Sequence, residues 1–393
     1  MGQLNFIKYT KNPIKYIRII KNEIKDFFLY QLRKNKIKKI QAKNLSIFYK
    51  KKIDKLIIFL VPGKIKINGG VMSICSIAKY TKDLLHKEGY EVLISTLPKD
   101  RTFYKYTEFE CEFDIFEFSS VMNYFQFDTI SELILHIPEY SIKKIFLKNL
   151  TIDDKKALKK VKKLTINILN QNIELLPAPN IINELRYLSK NITMTTAHKK
   201  YCTESLSKKY QVPVHLLPAM STTKYLITDY TEKENIIIYS PDYCKLKTRI
   251  IRKIKNEFPN YKLIEIKNLK YKEYLELIKK AKFSISFGEG FDAYFTEIIR
   301  CGGISFTTYN RNFFTDKAKK FPILYDSYEE MLKKIIDDIR KYDNKLEYKK
   351  GATIFFDTLD ELYKESKKYD YLNNLKDYYL EKYTYNYWRE NGK

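Results

Sequence analysis

From Lys55 onward, short runs of consecutive apolar residues alternate with stretches in which apolar residues recur every three or four positions. The first kind predicts strands buried on both faces, and the second predicts amphipathic helices. Leu56–Val61 predicts a buried strand, followed by a glycine loop and a helix over residues 71–86. Tyr90–Thr96 predicts the next strand, with others at 113–118, 131–136, 164–169 and 191–196. Helical spacing covers 154–163, 179–188 and 198–209. Around 212–224 the pattern resets. A second series follows, with strands at 235–240, 262–266, 283–287 and 303–307 and helices at 246–257, 270–281, 291–301 and 328–341. Strands alternating with helices imply mostly parallel sheets. The expected fold class is therefore α/β, with one domain over 53–222, a second over 223–343, and helices rich in Tyr and Lys over 344–393.

Residues 1–52 break this rhythm. Ile14, Ile17, Ile20, Ile24, Phe27 and Phe28 recur at helical spacing among Lys11, Lys15, Arg18, Lys21 and Lys25. Such a basic amphipathic extension can lie on an anionic membrane surface, or pack on its own domain with a solvated lysine face. The chain of 393 residues carries a formal net charge of +26, which attracts anions. Lys greatly outnumbers Arg, and Ile, Asn and Tyr are abundant, so part of that charge is compositional. Nucleic acid is not an expected partner: no recognised binding module is present, and the aromatic residues are dispersed across the elements. Cys75, Cys111, Cys202, Cys244 and Cys301 form no close pair and are odd in number. No disulfide framework or zinc site is expected, and a reducing cytoplasm fits. No apolar stretch approaches the ~20 residues that span a bilayer. The first residues show no secretory signal, so the expected location is cytoplasmic, with peripheral membrane contact through 1–52.

Candidate chemistry clusters at predicted strand ends, where open α/β sheets bind ligands. Gly69 and Gly70 open a helix after the first strand, letting backbone approach an anionic ligand. Neither a dinucleotide fingerprint nor a Walker loop is present. His136 ends the apolar run Leu133–Leu135, shortly before Pro138 and Glu139; it is either a satisfied structural group or a ligand-side residue. His198 stands at another strand end and either meets a ligand or caps the following helix. Lys245, Lys247 and Arg249, after the first strand of the second domain, can clamp a diphosphate or form a solvated helix start. The most informative pair is Glu289 and Glu297. Glu289 lies between Gly288 and Gly290 in a strand-to-helix turn, where helix amides point. On a helical wheel Glu297 falls opposite the apolar face of Phe291, Phe295, Ile298 and Ile299, which predicts a solvent-facing carboxylate.

Glu289-Gly290-Phe291, five further residues, Glu297, three further residues, then Cys301-Gly302 resembles the E-x7-E signature of retaining GT-B glycosyltransferases of the family 4 type. The resemblance extends over roughly 53–390 in the order of elements. It implies two Rossmann-like domains facing a cleft, and a helical tail crossing back to the first. It implies a nucleotide-sugar donor as substrate, with no cofactor and no metal, and a glycan or lipid-linked acceptor in surface polysaccharide or glycoconjugate synthesis. By the same resemblance Glu289 contacts donor-sugar hydroxyls, with Gly288, Gly290 and Phe291 around it, and Glu297 contacts the ribose. His136 orients the donor sugar, Gly69 and Gly70 form the glycine loop, and Lys245 and Arg249 stand in for the diphosphate clamp. The chain departs from that family in three places. No Lys-Gly pair opens the helix after the second domain's first strand, Leu217-Pro-Ala-Met-Ser replaces the usual linker, and Asp292 stands where a glycine is usual. Two other readings fit the same pattern: a catalytically silent membrane or assembly scaffold, and a sugar-nucleotide epimerase on the same fold.

Overall fold

The computed structural model describes residues 53–62, 69–98, 115–219, 225–267, 269–380 and 382, with scattered positions between 21 and 48. Most of the basic extension, the loop 63–68 and the linker residues 220–224 lie outside the described residues.

The first domain runs through β1 (Lys55–Val61), α1 (Gly69–Leu85), β2 (Tyr90–Thr96), β3 (Ile115–Phe116), α2 (Phe118–Tyr124), β4 (Glu132–Pro138) and α3 (Ile152–Lys160). It continues through β5 (Lys163–Asn170), α4 (Pro179–Leu185), β6 (Asn191–Thr196), α5 (Glu204–Tyr210) and β7 (Val214–Leu216). All seven strands are parallel, in the order β3-β2-β1-β4-β5-β6-β7. β1 is buried along Leu56–Val61 because helices cover both faces of the sheet. One face packs Leu56, Ile58 and Leu60 against Phe118, Phe146 and Ile182. The other packs Ile57 and Phe59 against Ile74, Cys75 and Ala78 of α1.

The second domain runs through β8 (Glu234–Tyr239), α6 (Lys247–Glu257), β9 (Lys262–Glu265), α7 (Tyr271–Lys280), β10 (Ala281–Ile285), α8 (Ala293–Arg300), β11 (Ile304–Phe306) and α9 (Tyr328–Tyr342). Its four strands are parallel in the order β11-β10-β8-β9. In each sheet the strand order reverses beside one central strand, β1 in the first and β8 in the second. Ligands of open α/β sheets bind outside the carboxyl ends of the strands flanking such reversals.

Two expectations change in detail. Of the strand expected at 113–118, residues 113 and 114 lie outside the described residues, and the described strand Ile115–Phe116 ends early because the chain turns into α2 at Phe118. The helix expected over 198–209 breaks into a 3-10 turn, Lys199–Tyr201, and α5. Thr203 causes the restart: its hydroxyl accepts from the Leu206 amide and caps the new helix.

Two helices end the described chain, α10 (Lys345–Glu365) and α11 (Tyr371–Tyr379). Asn344 caps α10 by accepting from the amides of Leu346 and Glu347. α10 buries Tyr348, Phe355 and Leu359 in the second domain's core. α11 instead buries Tyr371 and Leu375 in the first domain, against α1 and β1. Its last two tyrosines reach into the sheet: Tyr378 meets Thr193 at 3.0 Å, and Tyr379 meets both Thr81 and His136. Leu375 is fully buried, so Leu375→Ala should cost about 2–5 kcal/mol of stability. The loss should appear at the opposite end of the sequence, as faster hydrogen exchange of β1 and β4 amides. Unchanged exchange there would show that α11 does not hold the first domain together.

Candidate functional site between the two sheets

The turn after β10 is shaped by two glycines in the left-handed region, Gly288 at φ 92° and Gly290 at φ 85°. At Gly290 a Cβ would meet the Thr308 carbonyl oxygen at 2.9 Å, so no side chain fits. Gly288 packs against Asp242 of the loop after β8, and its amide donates to the Tyr328 hydroxyl at 2.8 Å. Asp292 then caps α8, accepting from the Phe295 amide at 3.0 Å and from the Ser286 hydroxyl at 2.7 Å. The turn thus projects Glu289 out of the second domain while its neighbours are fixed.

Glu289 crosses the cleft. Its carboxylate accepts a hydrogen bond from the Asn172 side chain of the first domain. Asn172 sits after β5, beside the end of β4, and is itself braced. The Gln171 and Asn172 amides donate to the Glu139 carboxylate at 3.2 and 3.0 Å. Gln171 also donates to Ser73, in the first turns of α1, at 2.9 Å. A hydrogen-bonded chain therefore links α1, the ends of β4 and β5, and Glu289. Nearby, Asn312 of the second domain donates to Glu174 of the first at 2.7 Å.

The electrostatics here are those of carboxylates held out of water. Burial raises Glu289 above the ordinary carboxylate range, the Asn172 bond opposing it. Burial pushes Asp292 up to about 8 despite the Ser286 and Phe295 bonds, and pushes Glu139 up to about 7 against its backbone amides. Carboxyl groups of this kind can accept hydrogen bonds from ligand hydroxyls and exchange protons near neutral pH. Among the described residues, no group of three or more His, Cys, Asp or Glu is placed to hold a metal ion, and no helix is long and apolar enough to cross a membrane.

The other sequence candidates fall in different places. Gly69 and Gly70 are the first residues of α1, and a Cβ at Gly69 would meet nothing within 4 Å. Phe291 joins an aromatic cluster with Phe295, Phe314 and Tyr363. Glu297 corrects the wheel reading: it is buried and accepts a 2.6 Å bond from the Tyr225 hydroxyl. The linker tyrosine covers the helix face that the wheel leaves to solvent. His136 does not reach the cleft. It is buried in mid-sheet, stacked on Phe59 at 4.2 Å, with its ring nitrogens engaged by Asn167 and Tyr379. Burial pushes its imidazole down to about 4, so it is neutral at physiological pH. Lys245 and Arg249 are exposed, whereas Lys247 turns back to the end of β8. Its ammonium donates to the carbonyls of Ser240 and Asp242 and pairs with Glu265 at 2.9 Å. His198 precedes its 3-10 turn without capping it, and its ring packs edge-on against Tyr201 and Phe313. Sequence reasoning passed over Glu139 and Asn172. Glu139 follows a proline at a strand end, which is a signal; Asn172 carries none.

No family model matches the chain, and no curated protein matches it by sequence. Its backbone is similar to that of Anabaena HepE, solved in complex with UDP-glucose, at a TM-score of 0.52, with 9% identity over 83% of this chain and 99% of that one. It is similar to sucrose-phosphate synthase from Thermosynechococcus elongatus at a TM-score of 0.50, with 10% identity over 83% and 98%. At such identities the likeness concerns the fold: two Rossmann-like domains with parallel sheets facing a cleft, the GT-B arrangement.

Asp292 offers a test of the buried acid network. Burial in the folded protein pushes its carboxyl from the ordinary 3.8 up to about 8. Between these values the folded state holds the extra proton, so stability falls as pH rises through the window. Asp292→Asn keeps a capping side chain and removes the titration. The difference in melting temperature between pH 5 and pH 8 should narrow in the variant without vanishing, since Glu139 has the same sign. An unchanged difference would show that Asp292 ionises normally.

Proposed function

We propose that the chain is a glycosyltransferase that moves a sugar from a nucleotide-sugar donor to a glycan or lipid-linked acceptor. The observation that carries this reading is Glu289. It is a half-buried carboxylate on a two-glycine turn, at the carboxyl end of β10, aimed across the cleft at a polar loop of the first domain. A sugar hydroxyl entering the cleft would take the place of the Asn172 amide on this carboxylate. Glu139 would keep the 171–172 loop in position while that exchange occurs. The E-x7-E resemblance adds retention at the anomeric carbon and independence of metal to the reading. It also assigns Glu297 to the ribose, which would require the Tyr225 bond to open. HepE, whose fold this chain shares, was solved with UDP-glucose, which supports a nucleotide sugar as the donor class. On this reading residues 1–52 carry the protein to an anionic membrane surface, where a lipid-linked acceptor would be met.

Glu289→Gln is nearly isosteric and removes the charge. It should lower sugar transfer by about 100-fold or more, the usual scale for losing one preorganised polar contact to a reacting group. Circular dichroism and melting should stay close to wild type. Full transfer by this variant, with a nucleotide sugar that the wild type accepts, would remove the reading. Release of free epimerised nucleotide sugar without any acceptor would replace transfer by epimerisation.

A further inference from the structure

The cleft is chemically lopsided. One end gathers Asp242, Glu289, Asp292 and Glu139, and Lys247 beside them is already occupied by two carbonyls and Glu265. The other end contains a cavity of ≈ 440 Å³, a size that takes a small ligand. Leu216 of β7 and Asn374 of α11 help to line it, with three further parts of the chain. The loop after β6 supplies His198, Lys199 and Lys200, the second domain supplies Phe291, Phe313 and Phe314, and the α10–α11 junction supplies Glu365 and Lys367.

Its walls are fixed. Lys200 donates to the carbonyls of Arg311 and Phe314 at 2.5 and 3.1 Å, and the Tyr201 hydroxyl donates to the Asn312 carbonyl at 2.8 Å. These bonds dock the loop after β6 onto the loop after β11. Glu365, the one carboxylate of the lining, is engaged by the Thr315 hydroxyl at 3.2 Å and lies 3.9 Å from Lys317. Lys199 and Lys367 are exposed at the lining, so their ammonium groups can reach an incoming anion. The remaining lining is mixed, with Cys202, Leu216, Phe291 and Leu362 beside Thr203, Thr315, Ser366 and Asn374, and its open surface is mostly apolar, which suits the carbon part of an organic ligand.

We propose that this cavity binds an organic phosphate, its phosphate held by Lys199 and Lys367 and its carbon part packed on the mostly apolar wall that includes Phe291, Leu216 and Leu362. The proposal deepens the transferase reading and rests on it for the source of the phosphate, which is either the nucleotide of the donor or a phosphorylated acceptor. It also accounts for where the anionic part of a substrate goes when the loop after β8 keeps Lys247 for itself. The imidazole of His198 registers the field: burial, Lys200 and Lys368 together push it down to about 4. An anion bound beside it would oppose the two lysines and raise the pH at which it protonates.

The test follows the His198 ring by NMR in the full chain, whose four histidines make assignment by substitution practical. Inorganic phosphate, UDP and glucose 6-phosphate are each titrated. The same titrations are run on Lys199→Gln/Lys367→Asn, in which asparagine tolerates the left-handed backbone at position 367, φ 55°. Expected are an upward shift of the His198 titration with at least one organic phosphate, and about tenfold weaker binding by the double variant. A response to UDP alone assigns the cavity to the donor, and a response to the hexose phosphate alone assigns it to a phosphorylated acceptor. No shift with any probe, a response to inorganic phosphate alone, or equal affinity in the double variant would overturn the proposal. If Glu289→Gln abolishes transfer while His198 stays silent, the transferase stands and the cavity falls. If His198 responds while no transfer is found, the cavity stands and the transferase falls.

Discussion

Parallel strands all end on the same side of their sheet, and here two such sheets turn those ends toward each other. Everything polar that terminates a strand is therefore driven into one narrow space. Backbone amides, capping carboxylates and turn glycines must satisfy one another there with little help from water. That constraint explains why Glu139, Glu289 and Asp292 are all held above the ordinary carboxylate range, each mainly by burial. It also explains why the cross-cleft bond is made by two side chains, Asn172 and Glu289, each sitting on a loop that something else has already fixed.

The architecture was legible because parallel strands buried on both faces leave unbroken apolar runs. β1, β2, β6 and β8 fall within a residue of where those runs place them. The turn around Glu289 was legible for a similar reason, since Gly288 and Gly290 on either side mark a tight turn, and both have positive φ. What the pattern could not show was contact between distant segments. A helical wheel treats α8 as lying on a single core, whereas Tyr225 arrives from the linker to cover Glu297. His136 reads equally as a structural group or a strand-end ligand until a tyrosine from α11 closes over it. In the loop after β8, the family resemblance favoured Lys245 and Arg249. Lys247 is the one drawn inward, because it begins α6 and its side chain reaches the free carbonyls at the end of β8.

Asp292 shows how a departure from a familiar motif can be absorbed. An acidic residue replaces a small one at the start of α8, where it takes over helix capping and a bond from Ser286. Its position at a helix N-terminus is favourable to negative charge. Burial works against that charge more strongly, so the net shift is upward. Local helix chemistry and global burial thus pull in opposite directions at one atom group, and the packing of the two domains decides the result.

The tyrosine pair that ends α11 has a consequence for how the protein is made. Tyr378 and Tyr379 fill the polar centre of the first sheet, although they follow the whole second domain in the chain. Until they arrive, His136 and Thr193 lie in an incomplete interior, and the first domain must wait through synthesis of the whole second domain. Domains ordinarily fold as units, the N-terminal one first. Here the first domain is finished only after the second has been made, because α11 supplies part of its interior. A copy that stops before α11 would leave His136 and Thr193 without the tyrosine hydroxyls that meet them.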